Sequence, residues 1–337
     1  MIFDPQNILV IDFGQLGDVI LSLPALRAIR QKFPSAKITI AVGKSCATVI
    51  DLADVADEKI IVDRVKLRDS AKLWSIFQIG RIVKDVRQRK IDFVIDLHSL
   101  PETNILGYLS GAEKRLFAHR ESRSLDFLSN FPSRPPREDK SKHVTDRYLD
   151  VLKPIGIESV ERAAKLTPRK NDLDFVEKLW QKNKLEGLVV GLFPGAGHPS
   201  RRWSVENFAE LADFLARNEN VRISVFLGPE EKDLAARIKQ IFPQKTIIFD
   251  NLTLTQLIAA LRRLSVFVSN DTGPMHLAAA VGTSVVLLMD KDAPQTYAPL
   301  IPNIKIVRSG KIDEITVETA FQAAQELLHS ERVSRIH

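Results

Sequence analysis

Three short stretches hold the residues whose types and spacing could do chemistry. Ser269-Asn270-Asp271-Thr272-Gly273-Pro274-Met275-His276 lies between the apolar run Val266-Phe267-Val268 and a small apolar run over 275–281. It reads as the end of a buried strand, a turn and the start of a packed helix. Pro274 suits the first helical turn, and Asp271 or Thr272 can cap it. The bare N–H groups there, with the helix dipole, make a seat for an anion. Pro194-Gly195-Ala196-Gly197 is a small-residue turn where backbone can approach a ligand closely, and Arg201 and Arg202 supply fixed positive charge apt for a diphosphate. Glu230 or Glu231 could hold ribose hydroxyls. Gly14-Gln15-Leu16-Gly17-Asp18 offers one acid and little positive charge, at the carboxyl end of a strand, where open α/β sheets put their ligands. The combination suggests transfer of a group from a nucleotide-diphosphate donor, with the acid–base residue in the first half of the chain. Taken singly, each stretch has a plainer reading: a capped helix, an N-cap, a solvated loop.

The elements that must position these residues alternate. Strands are predicted at 7–13, 37–42, 60–62 and 92–97, with helices at 19–33, 72–90 and 146–152. Pro24 should kink the first helix or mark its true start. Residues 114–143, rich in Arg, Lys and His among Ser and Pro, read as one long, partly ordered loop, either a lid for an acidic acceptor or a solvated charged segment. A polar linker follows at 158–170. The second half has strands at 188–193, 222–227, 246–249, 266–268 and 284–289, and helices at 172–182, 205–217, 234–242, 254–264, 275–281 and 316–329. Strand–helix alternation in two successive halves implies α/β domains with two parallel, helix-covered sheets.

Bulk composition bounds the rest. A chain of 337 residues is long enough for two cores, and 45% hydrophobic with 27% charged residues is ordinary for a globular protein. A net charge of +6 and a pI near 9.3 fit an anionic partner. Basic residues interspersed with acids, and few aromatics, argue against nucleic acid. The lone Cys46 rules out an internal disulfide and fits a reducing compartment. With no long apolar run and no secretory signal pattern, a cytoplasmic protein is expected, with peripheral contact at the inner face of the cytoplasmic membrane allowed.

Several chemistries are excluded by motif. The P-loop pattern, the three-glycine dinucleotide fingerprint, zinc-ligand spacing and the G-x-S-x-G elbow are all missing. What remains resembles the heptosyltransferase family of GT-B glycosyltransferases (glycosyltransferase family 9), enzymes that add heptose from ADP-heptose to the lipopolysaccharide core. The stretches from Ile8-Leu9-Val10 through Gly17-Asp18-Val19-Ile20 to Leu23-Pro24-Ala25-Leu26, from Phe193-Pro194-Gly195-Ala196 to Arg201-Arg202-Trp203, and Ser269 to His276 carry the likeness, in the family's order and approximate spacing.

The resemblance implies a GT-B fold, two Rossmann-like parallel-sheet domains facing across a cleft. Residues 1–165 would form the acceptor-side domain and 166–337 the nucleotide-sugar donor domain, with the last helix free to pack back on the first. It implies Asp18 as the general base. Ala196 and Gly197 match phosphate-side turn positions, Arg201 stands where a lysine usually reaches the donor phosphate, and Glu231 is the best match for the ribose-binding acid, with Glu230 second. Leu252 matches a position near the base, and Asp271, Thr272, Gly273 and His276 match contacts to sugar and diphosphate. The implied reaction is inverting: the acceptor hydroxyl attacks the anomeric carbon, the nucleotide diphosphate leaves, and Asp18 takes the proton. The donor would be a nucleotide-diphosphate sugar, and the acceptor an anionic glycan or glycolipid in contact with the inner-membrane surface. No cofactor and no metal site are implied, though a divalent cation stays open. Two departures bear on sugar choice. Asp290-Lys291-Asp292-Ala293-Pro294 replaces a Gly-Pro-Thr type turn, and Asp12 stands where the first strand commonly carries a basic residue. The alternatives on the same scaffold are a nucleotide-sugar epimerase or hydrolase, which would turn over without an acceptor, and a non-catalytic nucleotide-sugar-binding protein.

Overall fold

The computed structural model describes residues 4–69, 72–121, 123–158, 160–231 and 234–336, so Ser159 of the expected linker and Ser122 of the expected long loop lie outside it. The chain divides into two compact units, Met1–Ala164 and Lys165–His337.

Short runs of Val, Ile, Leu and Phe form the strands, because β-branched and aromatic side chains buried on both faces suit a parallel sheet covered by helices. The first unit runs β1 (Asn7–Asp12), α1 (Leu16–Lys32), β2 (Lys37–Gly43), α2 (Ala47–Ala53), β3 (Glu58–Val62), α3 (Arg64–Asp69), α4 (Lys72–Gln88), β4 (Phe93–Asp96), α5 (Pro101–Leu109), β5 (Lys114–Phe117) and α6 (Val144–Val151). Its sheet has the order β3-β2-β1-β4-β5 with every pair parallel. Leu9, Ile11, Val94 and Phe117 lie in one cluster beneath Val86 of α4.

The second unit runs α7 (Lys170–Lys182), β6 (Val189–Phe193), α8 (Val205–Asn218), β7 (Arg222–Phe226), α9 (Leu234–Ile241), β8 (Ile247–Phe249), α10 (Leu254–Arg262), β9 (Val266–Asn270), α11 (Gly273–Ala280), β10 (Ser284–Asp290), β11 (Ile304–Ser309) and α12 (Val317–Ile336). Its sheet has the order β11-β10-β9-β6-β7-β8, again parallel throughout. Strand order reverses between β1 and β4 in one sheet and between β6 and β9 in the other. Those two carboxyl-end crevices are where doubly wound sheets bind ligands, since the loops on either side leave in opposite directions.

The structure departs from the sequence expectations in four places. Helix α1 starts at Leu16, not at 19, and runs through Pro24, so Pro24 neither starts nor ends it. The expected loop over 114–143 opens with edge strand β5, paired to β4 from Phe93↔Lys114 to Asp96↔Phe117. The strand is only four residues long and opens with two basic residues, Lys114 and Arg115, which gives it no apolar run to signal it. Elements α2, α3, α5 and β11 were not anticipated: the two short helices α2 and α3 give little periodic signal, Asn104 is buried in α5, and Lys305 and Arg308 interrupt β11. Helix α12 packs on α8 and on strands β9, β10 and β11 of its own unit. Among the described residues no helix is long and apolar enough to cross a membrane.

Candidate active site

At the β6/β9 end of the second sheet, two loops are tied together by one buried side chain. Asn270, fully buried at the end of β9, accepts a hydrogen bond from the Trp203 backbone N–H (3.0 Å) and donates from Nδ2 to the carbonyls of Pro194 (3.2 Å) and Gly195 (3.0 Å). Trp203 is itself buried, and its Nε1 donates to the Ile315 carbonyl at 2.8 Å. Arg202 turns inward, Nε and Nη2 both donating to the Ala196 carbonyl at 3.2 and 3.1 Å. Arg202 thus spends its fork on the loop. Its neighbour Arg201 is more than half exposed, with Nη1 3.6 Å from Asp271 Oδ2. Burial pushes the Asp271 carboxyl above its ordinary range; Arg201 opposes that and Asp290 adds to it.

Helix α11 begins just beyond Asp271. Thr272 occupies its N-cap position with extended backbone, yet its hydroxyl makes no capping bond and instead meets Ser269 Oγ at 3.1 Å. The expected cap by Asp271 or Thr272 is therefore not made, and the first N–H groups of the helix keep their capacity for an anion. Pro274 sits in the first turn as expected, and His276 is buried within the helix.

Gly195 is required by packing. A Cβ there would stand 2.3 Å from Glu231 Oε1, so the glycine lets the Glu231 carboxylate lie against the loop. Glu231 is buried, accepts from the Gly228 N–H at 3.0 Å, and is held above its ordinary range by that burial. Glu230 is exposed beside it. Ala196 is buried and Gly197 exposed in the same loop, while Leu252 is half-buried between β8 and α10. Asp290 Oδ1 accepts from the Ala293 N–H at 2.7 Å, which closes the departing turn. Among the described residues no group of three His, Cys, Asp or Glu side chains could hold a metal ion.

At the β1/β4 end of the first sheet the chemistry is acidic. Asp18 lies in the first turn of α1, half-buried, with Oδ2 accepting from the Gln15 N–H at 3.0 Å. It is the third residue of the helix, not its N-cap. Asp12, fully buried, accepts from Ser22 Oγ (2.6 Å) and the Gly14 N–H (3.0 Å). Gly14 is wedged between the two acids, for a Cβ would meet Asp18 Cβ at 2.5 Å and Asp12 Oδ1 at 3.1 Å. Nearby, burial pushes the Cys46 thiol up to about 11, so it stays protonated at neutral pH. Asp96, fully buried, accepts from the N–H groups of His98 (3.1 Å) and Ser99 (2.7 Å) and from Asn104 Nδ2 (2.8 Å). Burial still carries its carboxyl up to about 7 against those donors.

With that geometry in place, sequence and fold comparisons decide the family. The sequence profile of glycosyltransferase family 9 (heptosyltransferase) matches residues 79–323. This chain belongs to that family. It is similar to the lipopolysaccharide core heptosyltransferase OpsX of Haemophilus influenzae, 22% identical over 304 residues that cover 88% of this chain and 82% of the relative. Its fold resembles a glycosyl transferase family 9 structure from Veillonella parvula, with TM-score 0.86, 23% identity and coverage of 98% and 99% of the two chains. It also resembles Escherichia coli heptosyltransferase WaaC with ADP-2-deoxy-2-fluoro heptose, with TM-score 0.76, 20% identity and coverage of 95% and 99%. The two parallel-sheet units are the GT-B fold, and the protein is a glycosyltransferase.

For this transferase, the structure gathers Ala196, Gly197, Arg201, Glu231, Asp271, Thr272 and Gly273 on loops at the carboxyl ends of β6, β7 and β9. His276 lies one turn into the helix, Leu252 follows β8, and Asp18 belongs to the other unit. Three groups escaped the sequence reading. Asn270 was taken as part of a turn, although a lone amide between a buried strand and a turn is a signal for loop bridging. Arg202 was taken as a ligand for diphosphate. His98, a single imidazole just beyond a predicted strand, belongs to no local motif.

Proposed function

We propose that this transferase moves heptose from ADP-heptose to a lipopolysaccharide-core or related glycan acceptor, with inversion at the anomeric carbon, at the inner face of the cytoplasmic membrane. The acceptor oxygen bonds to the anomeric carbon as the bond from that carbon to the diphosphate oxygen breaks. Asp18 receives the hydroxyl proton. The charge that develops on the diphosphate is met by Arg201 and by the N–H groups at the start of α11. Glu231 takes the ribose hydroxyls, Ala196 and Gly197 bring backbone to the phosphates, and Leu252 packs near the base. Asp271, Thr272 and His276 face sugar and diphosphate.

The observation that carries this reading is the exposed Arg201 guanidinium 3.6 Å from Asp271, above a helix start without a side-chain cap. A cation, a carboxylate and a helix start without a side-chain cap at the β6/β9 switch point support contacts to diphosphate and sugar there. Family membership supplies the reaction class, and the solved relative bearing an ADP-fluoroheptose supports the donor. Donor choice is tested by incubating the protein with ADP-heptose, UDP-glucose or GDP-mannose and a heptose-deficient core glycolipid. Transfer only from ADP-heptose is expected, with turnover kept in EDTA. Transfer from another donor with none from ADP-heptose would sink the reading, and donor turnover without acceptor would point to an epimerase or hydrolase.

A further inference from the structure

His98 is a group the reaction as written does not use. It ends the turn after β4, next to β1 in the sheet, and its backbone is clamped on both sides. Its N–H donates to Asp96, and its carbonyl accepts from Arg120. The following residue, Ser99, adopts a left-handed conformation (φ 49°), which costs energy for a non-glycine residue and is compensated by the Ser99 N–H bond to Asp96 and the Oγ bond to Ala118. The turn therefore holds the imidazole in one place. Nδ1 is buried, has no hydrogen-bond partner, and stands 3.8 Å from Asp12 Oδ1. The side chain as a whole keeps 16% exposure, so the accessible part is the far edge, which carries Nε2. Asp12 in turn shares Gly14 with Asp18.

We propose that Asp12 and His98 form a carboxylate–imidazole pair that fixes the charge beside Asp18, making both of them positioning residues for the transfer step. A negative charge beside a general base favours the arrival of the proton it takes. A proton on His98 neutralises Asp12 and removes that help. Asp12 is fully buried and accepts from the Ser22 hydroxyl and the Gly14 N–H, so an imidazole 3.8 Å away is well placed to share its charge. The charged groups that act on the imidazole are Asp12 on β1, Asp18 on α1, Arg64 on α3 and Arg120 after β5, while Asp96 at the end of β4 holds the His98 backbone N–H. Burial holds His98 below its ordinary value, with Asp12 and Asp18 opposing and Arg120 and Arg64 assisting. At neutral pH the imidazole is therefore uncharged and Asp12 acts on Asp18 in full. Acid protonates His98, and the imidazolium then balances the Asp12 charge.

The inference rests on Asp18 as the base, and the test separates the two. His98 is followed by NMR of its ring in the full-length wild type, in Asp12→Asn and in Asp18→Asn, and kcat/KM is measured against pH in wild type, Asp12→Asn and His98→Gln. Asp12→Asn should move the His98 titration to lower pH, shift the acid limb of kcat/KM to lower pH by about one unit, and reduce kcat about tenfold. In His98→Gln the acid limb should lose one of its two ionisations. An unmoved His98 titration in Asp12→Asn, or acid limbs that overlay in all three proteins, would overturn the pairing. Near-normal turnover in Asp18→Asn would overturn the base assignment, and an NMR shift in Asp12→Asn would still establish the Asp12–His98 contact.

Discussion

The two strand-order reversals of this transferase are alike in topology and opposite in filling. Around β1 and β4, Asp12 and Asp18 act on the His98 imidazole and Asp96 holds its backbone, and the hydrogen bonds run inward to hold those acids in place. Around β6 and β9, two glycines, an alanine and two arginines form the loops, and the binding is from side chains to backbone carbonyls: Asn270 to Pro194 and Gly195, Arg202 to Ala196. The first arrangement gathers acids. The second shapes backbone and leaves one cation, Arg201, facing outward. On the proposed function, the first reversal receives the proton and the second the anion, though both are parallel sheets of similar size.

Asp18→Asn is the largest test of that contrast. It should lower kcat by about 10³-fold, the usual scale for loss of a general base, and leave donor affinity within about twofold. Turnover is read by a transfer assay and affinity by calorimetry with ADP-heptose. Equal losses in both would mean that the acidic reversal also holds the donor. Asn270→Ala strips three hydrogen bonds from a fully buried position and orphans two carbonyls and an N–H. A loss of about 3 kcal/mol in denaturant unfolding is expected, together with weakened donor binding, because the loop Asn270 holds is the donor loop. Normal donor affinity in a folded variant would show that the loop is positioned by Arg202 instead. Arg201→Ala should raise the donor KM about tenfold or more, with Arg201→Lys restoring most of it, since an exposed cation acts mainly by charge.

A subtler test concerns pH and the acidic end. The Asp96 carboxyl titrates at about 7 in the folded protein against 3.8 in the unfolded chain. The folded state therefore holds this proton more tightly. The stability it contributes is complete below about pH 4 and is lost as pH rises through about 7. Asp96→Asn cannot lose a proton. Relative to wild type it should gain on the order of a few kcal/mol between pH 4 and pH 7, measured as the difference in unfolding free energy at each pH. A flat difference over that range would mean that the donors from His98, Ser99 and Asn104 keep Asp96 ionised.

How much of this was legible beforehand depended on the range of the signal. The apolar runs at 7–12, 189–193 and 266–270 announce buried parallel strands, because a strand covered on both faces needs a continuous run and little else. The edge strand β5 did not announce itself, since Lys114 and Arg115 at a sheet edge obey solvent, not the core. The start of α1 was misjudged by three residues because Gly17 and Asp18 look like turn residues. They serve instead as the opening turn of a helix whose N3 acid binds the N-cap N–H. Arg201 and Arg202 look alike in sequence, and only folding showed that one binds the loop and the other faces out.

The sequence by itself determined the alternating parallel α/β plan, the three stretches that end on strand termini, and the family. Those properties reside in local patterns of apolar period, glycine and charge. The tertiary structure alone decided which acid sits beside which base. Asp12 and His98 are 86 residues apart and meet only because β1 and β4 are neighbours in the sheet, with Ile11 in register with Asp96. Asn270 and Pro194 are likewise joined by the pairing of β6 with β9. Sheet order is a long-range outcome of packing, so side chains that no local pattern links become partners at the place where the order reverses.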